Sequence, residues 1–113
     1  MNTVRKQSFT KVWEETLATL KANTSQKIHL CFNIESVENA IGVSANCTNG
    51  GLKTEEAIQI MFDAGYELAG QLVSVDLSEY NPCVEDWRTG RLAVTLFYYF
   101  ALGLAKAIAQ KKL

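Results

Sequence analysis

Two short apolar runs limit the folds open to this chain: KIHLCFNI at residues 27–34, and QLVSVDLSEY at residues 71–80. The first is nearly continuous in apolar residues without strict alternation, which suits a strand covered on both faces, as in a parallel sheet. Asn81-Pro82 closes the second, because proline cannot donate to a strand ladder and biases the residue before it toward extended conformations. The sequence therefore predicts two buried strands.

Three segments with helical spacing of apolar residues surround these runs. They cover residues 8–22, residues 52–68 with Thr54 as the expected N-cap, and about 85–110. The order helix, strand, helix, strand, helix gives at least one right-handed βαβ crossover and two parallel strands. Two strands are few for a sheet covered on both faces, so we expect the chain to oligomerise through the sheet or to be one piece of a larger fold.

The last predicted helix has an almost continuously apolar middle, LAVTLFYYFALGLA. A membrane span is one interpretation, but the run is shorter than the about 20 residues that a bilayer requires, and Lys106 ends it. We expect instead a helix packed on most sides, against the sheet and, in an oligomer, a neighbouring subunit. No membrane partner is predicted.

Composition limits the remaining classes. The 113 residues suit one domain over residues 1–113, and a net charge of -1 with 48% hydrophobic residues is typical of a globular protein without a nucleic-acid partner. The three cysteines form no CxxC pair, and the polar N-terminus lacks the apolar segment of a signal peptide. Reduced thiols and a cytoplasmic location are the expectation.

Polar side chains close the first predicted strand. Alternation along a strand would put Asn33 and Glu35 on the same face, at the carboxyl end where open α/β sheets bind their ligands. Oxygen atoms at this spacing suit a hard divalent ion such as Mn²⁺ or Mg²⁺. The alternative, left open by the residue types alone, is the polar end of a strand that caps the next turn.

Three further residues have side chains that could take part in binding or catalysis. Glu79 ends the second strand, so a parallel sheet would bring it to the same edge as Glu35, where two carboxylates could bind a metal or a guanidinium-like cation. His29, the single histidine, lies near the start of its strand, and we interpret it as a hydrogen-bonded, partly buried imidazole rather than a ligand or base. Cys31 has no second histidine to activate it and is expected to be a small packing residue.

The ordered stretches KIHLCFNIESVENA, GVSANCTNGGLKTEEAIQIM and SVDLSEYNP, followed by a long apolar helix, resemble the C-terminal part of the ureohydrolase superfamily. This superfamily comprises arginase, agmatinase and formiminoglutamase, and GVSA is most similar to formiminoglutamases. The resemblance covers the chain from about Val12 to its end. It implies an α/β fold with three αβα layers and parallel strands, as in the C-terminal portion of the arginase fold.

The resemblance also implies a metal site that is degenerate here. In the family pattern S-F-D-x-D-x-x-D-P the two aspartates bind a pair of manganese ions; Asn33 and Glu35 occupy those positions, and Glu38-Asn39 replaces D-P. Asn33 lacks the anionic charge, and Glu35 is one methylene longer. The family's earlier G-G-D-H and D-A-H-x-D motifs do not occur in these residues. Glu79 matches the acidic residue that contacts the substrate guanidinium in arginase-like members.

Three functions are compatible with this pattern. The leading hypothesis is a catalytically inactive ureohydrolase-like domain that acts as a structural or interaction module, without a cofactor of its own, as a homo-oligomer or with a missing N-terminal half. The second is part of an active manganese-dependent ureohydrolase that cleaves a linear amidine C–N bond once that half is supplied. The third is a metal-free module that binds a small cationic guanidino ligand through Glu79.

Overall fold

The computed structural model describes residues 8–37, 51–78, 83 and 87–110. Within them the predicted order of helices and strands is confirmed, and the fold is α/β with parallel strands. The elements are α1 (Phe9–Lys21), β1 (Ile28–Asn33), a short 3₁₀ turn (Ile34–Ser36), α2 (Thr54–Glu67), β2 (Leu72–Ser78) and α3 (Trp87–Ala109). Helix α2 begins one residue earlier than predicted: Lys53 is the N-cap, and its backbone nitrogen donates to the Glu56 carboxylate at 2.8 Å.

The two strands pair in parallel, and their register places polar residues beside polar ones and apolar residues beside apolar ones. Ile28 pairs with Leu72 and His29 with Ser74, so the register shifts by one residue at Val73, whose side chain is 61% exposed. From there the register is regular to the pair of Asn33 and Ser78. One face of this sheet is apolar and the other is polar.

The apolar face packs on α2 and α3. Phe32 of β1 and the turn residue Ile34 join a buried cluster with Ala57 and Met61 of α2 and Leu96 of α3. Partly buried side chains of both strands pack against this cluster; they are Leu30, Val75 and Leu77. The core of the described residues therefore lies between one sheet face and two helices.

The polar sheet face is exposed within this chain. His29 and Cys31 on β1 and Ser74 and Asp76 on β2 are all exposed in the described part of the chain. The reason is visible in the strands, where polar or small side chains alternate with apolar ones. Helices α2 and α3 thus cover the opposite, apolar face of the sheet.

Helices α2 and α3 approach each other until their backbones touch. A Cβ atom at Gly65 of α2 would collide with the carbonyl oxygen of Phe100. A Cβ atom at Gly103 of α3 would collide with the carbonyl oxygen of Phe62 and lie 3.1 Å from the backbone nitrogen of Tyr66. Only glycine fits at either position, because the neighbouring atoms belong to a helix backbone and cannot rotate away.

The outward face of α3 stays apolar and exposed. Its exposed large side chains include Val94, Phe97, Tyr98, Leu102 and Ile108. Among the described residues, one helix, Thr89–Ala109, is long and apolar enough to cross a membrane, with a mean hydropathy of 1.7. We interpret it as a helix of the α/β fold because its inner face contributes Ala93 and Leu96 to the core. Packing of its outward face against a neighbouring subunit stays a prediction.

The side chain of Gln71 fastens the segment after α1 to the start of β2. Gln71 is 6% exposed, and its amide nitrogen donates to the carbonyl oxygens of Leu20 at 3.0 Å, Asn23 at 2.9 Å and Gln26 at 3.3 Å. Leu20 belongs to the last turn of α1, whose carbonyl groups have no partner within the helix. No residue of α1 is fully buried, so this polar contact matters for its position.

We expect Gly103→Ala to lower the free energy of unfolding by about 1–3 kcal/mol, because the added methyl group forces two helix backbones apart. The loss should outweigh the about 1 kcal/mol by which alanine favours a helix interior over glycine. Urea unfolding followed by circular dichroism measures the change. Gly70→Ala is the matched control, since no atom lies within 4 Å of a Cβ there; equal effects of the two substitutions would contradict the proposed contact.

We expect Gln71→Glu to destabilise the fold by about 1–3 kcal/mol, because a carboxylate has no hydrogen to donate and would face three carbonyl oxygens. Gln26→Glu introduces the same charge nearby at an exposed side chain and is the control. The urea midpoints of both variants are compared with that of the wild type. A Gln71→Glu midpoint as high as that of the control would refute this role.

Candidate metal site

The predicted ligand pair Asn33 and Glu35 is split between two kinds of backbone. Strand β1 ends at Asn33, and Glu35 lies in the 3₁₀ turn, which Ser36 supports by donating its hydroxyl to the Asn33 carbonyl oxygen at 2.7 Å. The strand alternation that would put both side chains on one face therefore does not extend to Glu35. Asn33 is exposed, and the side chain of Glu35 lies outside the described part. Their role as remnant ligands stays a prediction.

The other residues implied by the resemblance fall outside the described ranges. Glu38, Asn39 and Glu79 are not among them. Glu79 follows Ser78, the residue that pairs with Asn33, so its place in the chain is next to the carboxyl end of the sheet. Cation binding by Glu79 stays a prediction.

Three metal-ligating side chains do come together on the polar sheet face. His29, Cys31 and Asp76 each offer one ligand atom, and these atoms lie within 4.8 Å of one another. The register explains the grouping, because Cys31 pairs directly with Asp76 and His29 pairs with Ser74 on the same face. We call these three residues the sheet-face cluster.

Hydrogen bonds orient the imidazole of His29 at both nitrogens. Its Nε2 lies 3.0 Å from Oδ2 of Asp76, and its Nδ1 is hydrogen-bonded to the hydroxyl of Ser74. The side chains of His29 and Asp76 are 49% and 52% exposed. The prediction of a hydrogen-bonded imidazole is thus confirmed, but the ring is exposed rather than partly buried.

Cys31 is an exposed thiol and not a packing residue. Its Sγ lies 3.4 Å from Oδ2 of Asp76. Partial loss of hydration raises the pKa of the Cys31 thiol, and Asp76 raises it further by accepting the thiol hydrogen and by its negative charge. The prediction failed because Cys31 shares the face of His29, whereas Leu30 and Phe32 point into the core.

Sequence reasoning missed Asp76. Its signal was present, since Asp76 lies three residues before Glu79 and alternates with the apolar Val75 and Leu77. The distance to His29 and Cys31 depends on the register of β2 against β1, including the shift at its start. That register is a property of the paired strands, so the sequence of one strand alone does not place Asp76 beside His29 and Cys31.

A groove between α1 and α2 is a weaker candidate for a binding site than the sheet-face cluster. It has a volume of about 590 Å³, and its lining includes Glu14, Glu55 and Asp63. Trp13 Nε1 and Gln59 Nε2 both donate to Asp63 Oδ2 at 2.8 Å. The bond from Trp13 joins α1 to α2, whereas the bond from Gln59 lies within α2. We therefore interpret the groove as part of the packing of the first helix.

Comparisons with known proteins agree with the fold. The model of the Arginase family matches residues 1–103. Arginase from Bacillus subtilis is similar at 30% identity over 88% of this chain and 37% of that chain, with a TM-score of 0.73. Arginase from Bacillus caldovelox gives 30% identity over 88% and 33%, with a TM-score of 0.72.

A formiminoglutamase with Mn²⁺, from Trypanosoma cruzi, is 31% identical over 90% of this chain and 34% of that chain, with a TM-score of 0.69. The chain thus spans about a third of the length of these solved structures. Comparison with curated protein sequences gives no match.

We expect Asp76→Asn to lower the pKa of Cys31, because the amide removes the negative charge that disfavours the thiolate. The alkylation rate of Cys31 should rise with pH around a midpoint above the 9.0 of an unperturbed thiol, and the substitution should move that midpoint down. Measuring this rate in a Cys47→Ser, Cys83→Ser background isolates the single thiol. A midpoint that stays in place or rises would show that Asp76 does not act on Cys31.

Proposed function

Because this chain belongs to the arginase family, we propose that it serves as a structural or interaction module with the C-terminal part of that fold, and that it does not by itself hydrolyse a linear amidine. The observation that carries the proposal is the fraction of the fold present. The chain spans about a third of solved arginases and formiminoglutamases. The sequence patterns that would supply most family metal ligands belong to the other two thirds.

The side chains available as metal ligands support the proposal that this chain is catalytically inactive by itself. Active members of the family use two manganese ions, as the resemblance implies, and manganese prefers several carboxylate and water oxygens. Asn33 offers only a neutral carbonyl oxygen, and the backbone leaves the strand before Glu35. The single histidine, His29, is engaged with Asp76 and Ser74 on the sheet face. These donors fit a pair of manganese ions poorly.

The surfaces of the described residues support an interaction role. The parallel sheet has two strands there, with an outer edge on each. Outer edges present backbone groups that can pair with another chain. Helix α3 adds exposed apolar side chains such as Val94 and Tyr98. A second copy of the chain or the N-terminal half of the fold would fit such surfaces.

The rival proposal is an active ureohydrolase assembled from two chains. It draws on the same fraction of the fold, since a separate N-terminal half could supply the missing ligands and the hydroxide-generating metals. In that case Asn33 and Glu35 would still support one metal ion. It differs from the leading proposal in requiring manganese at this chain.

We expect the purified chain to have a solution mass of at least two copies and to retain no stoichiometric manganese after incubation with Mn²⁺ and gel filtration. Light scattering and elemental analysis measure these quantities on one sample. Asn33→Asp with Glu35→Asp is the matched variant, because it restores both family carboxylates; a gain of manganese there would support the remnant interpretation. Stoichiometric manganese in the wild type would contradict the inactive module, and a monomer would contradict self-association.

A further inference from the structure

We propose that His29, Cys31 and Asp76 form a binding site for one borderline-soft divalent cation of the zinc class. This sheet-face cluster uses none of the residues predicted to be remnants of a manganese site. It lies on the open face of the β1–β2 pair, where all three side chains are exposed. The inference stands apart from the proposed function and would hold for an inactive or an active relative.

Two of the three distances between the ligand atoms are close to those around a tetrahedral ion, and the third pair lies within 4.8 Å. Zinc lies about 2.0–2.3 Å from nitrogen, oxygen and sulfur ligands, which places neighbouring ligand atoms about 3.3–3.6 Å apart in a tetrahedral site. Nε2 of His29 is 3.0 Å from Oδ2 of Asp76, and Sγ of Cys31 is 3.4 Å from the same oxygen. Side-chain adjustments of a few tenths of an ångström between these pairs would admit the ion.

The backbone supplies the preorganisation that such a site requires. His29 and Cys31 are two residues apart on one strand, so their side chains share a face, and Asp76 pairs directly with Cys31 across the sheet. The three ligands thus come from a hydrogen-bonded pair of strands rather than from a loop. Sites on strands hold their geometry better than sites on loops.

Ser74 provides the outer contact that orients a metal-binding histidine. Its hydroxyl is hydrogen-bonded to Nδ1 of His29. With the metal on Nε2, the proton would reside on Nδ1, and the Ser74 hydroxyl can accept it there. Without a metal, the contact of Nε2 with the Asp76 carboxylate favours a proton on Nε2, which the metal would displace. Metal-binding histidines usually donate their second nitrogen to such a partner.

The ligand types select the class of ion. A thiolate and an imidazole favour zinc, whereas manganese and magnesium prefer oxygen ligands. The Cys31 thiolate and the Asp76 carboxylate carry two negative charges, which a divalent cation neutralises. Exposure of His29 and Asp76, at 49% and 52%, leaves room for water as the fourth ligand.

Cobalt is the spectroscopic probe of this site, because cobalt bound by a thiolate gives a charge-transfer absorption in the near ultraviolet. We expect the full chain to develop this absorption on titration with Co²⁺ and to lose it on addition of Zn²⁺. Cys31→Ser should abolish it, and Asp76→Asn should weaken binding about tenfold or more. Cys83→Ser, which removes another exposed cysteine, is the matched control and should bind as the wild type does.

Because His29 is the single histidine, its imidazole resonances report the nitrogen ligand without assignment. They should shift on addition of Zn²⁺, and Ser74→Ala should weaken binding while all three ligands remain. Circular dichroism checks that each variant is folded. The site assignment is overturned if the wild type shows no thiolate–cobalt absorption, if Cys31→Ser retains it, or if an excess of Mn²⁺ displaces zinc.

Discussion

The close crossing of α2 and α3 at Gly65 and Gly103 is the contact on which the rest of the fold depends. Backbone meets backbone there, so the two helices lie at a fixed distance and angle. This arrangement carries Met61 of α2 and Leu96 of α3 to full burial beneath the sheet. A chain of 113 residues has a modest core, so a shift of either helix would loosen much of it.

A one-sided core has consequences for the sheet above it. The apolar side chains of both strands point at the helices, which leaves the polar ones together on the opposite face. The chain spans about a third of the length of its solved relatives in the arginase family. The polar face carries the cluster of metal-ligating side chains His29, Cys31 and Asp76.

The order of elements could be predicted from the sequence because it rests on local patterns. Apolar spacing located α1, α2 and α3, and the apolar runs located β1 and β2 to within two residues at their described ends. Covering of both sheet faces stays a prediction, since it requires a neighbouring subunit or more of the fold, and within this chain the face of His29 and Cys31 is exposed. Contacts between the strands were harder to foresee, because Asp76 meets His29 only after pairing has fixed the register.

The register shift at Val73 aligns the polar and apolar positions of β1 with those of β2. Paired residues in a sheet share a face, and an unshifted ladder from Ile28 and Leu72 would pair His29 with Val73 and Cys31 with Val75. Polar positions of one strand would then fall beside apolar positions of the other, and neither face would be uniform. The extra residue in β2 thus gives the sheet one apolar face that packs on the helices and one polar face that is exposed. A relative with one residue more or one fewer at this point of β2 would lose both the sheet-face cluster and the uniform apolar face that packs on the helices.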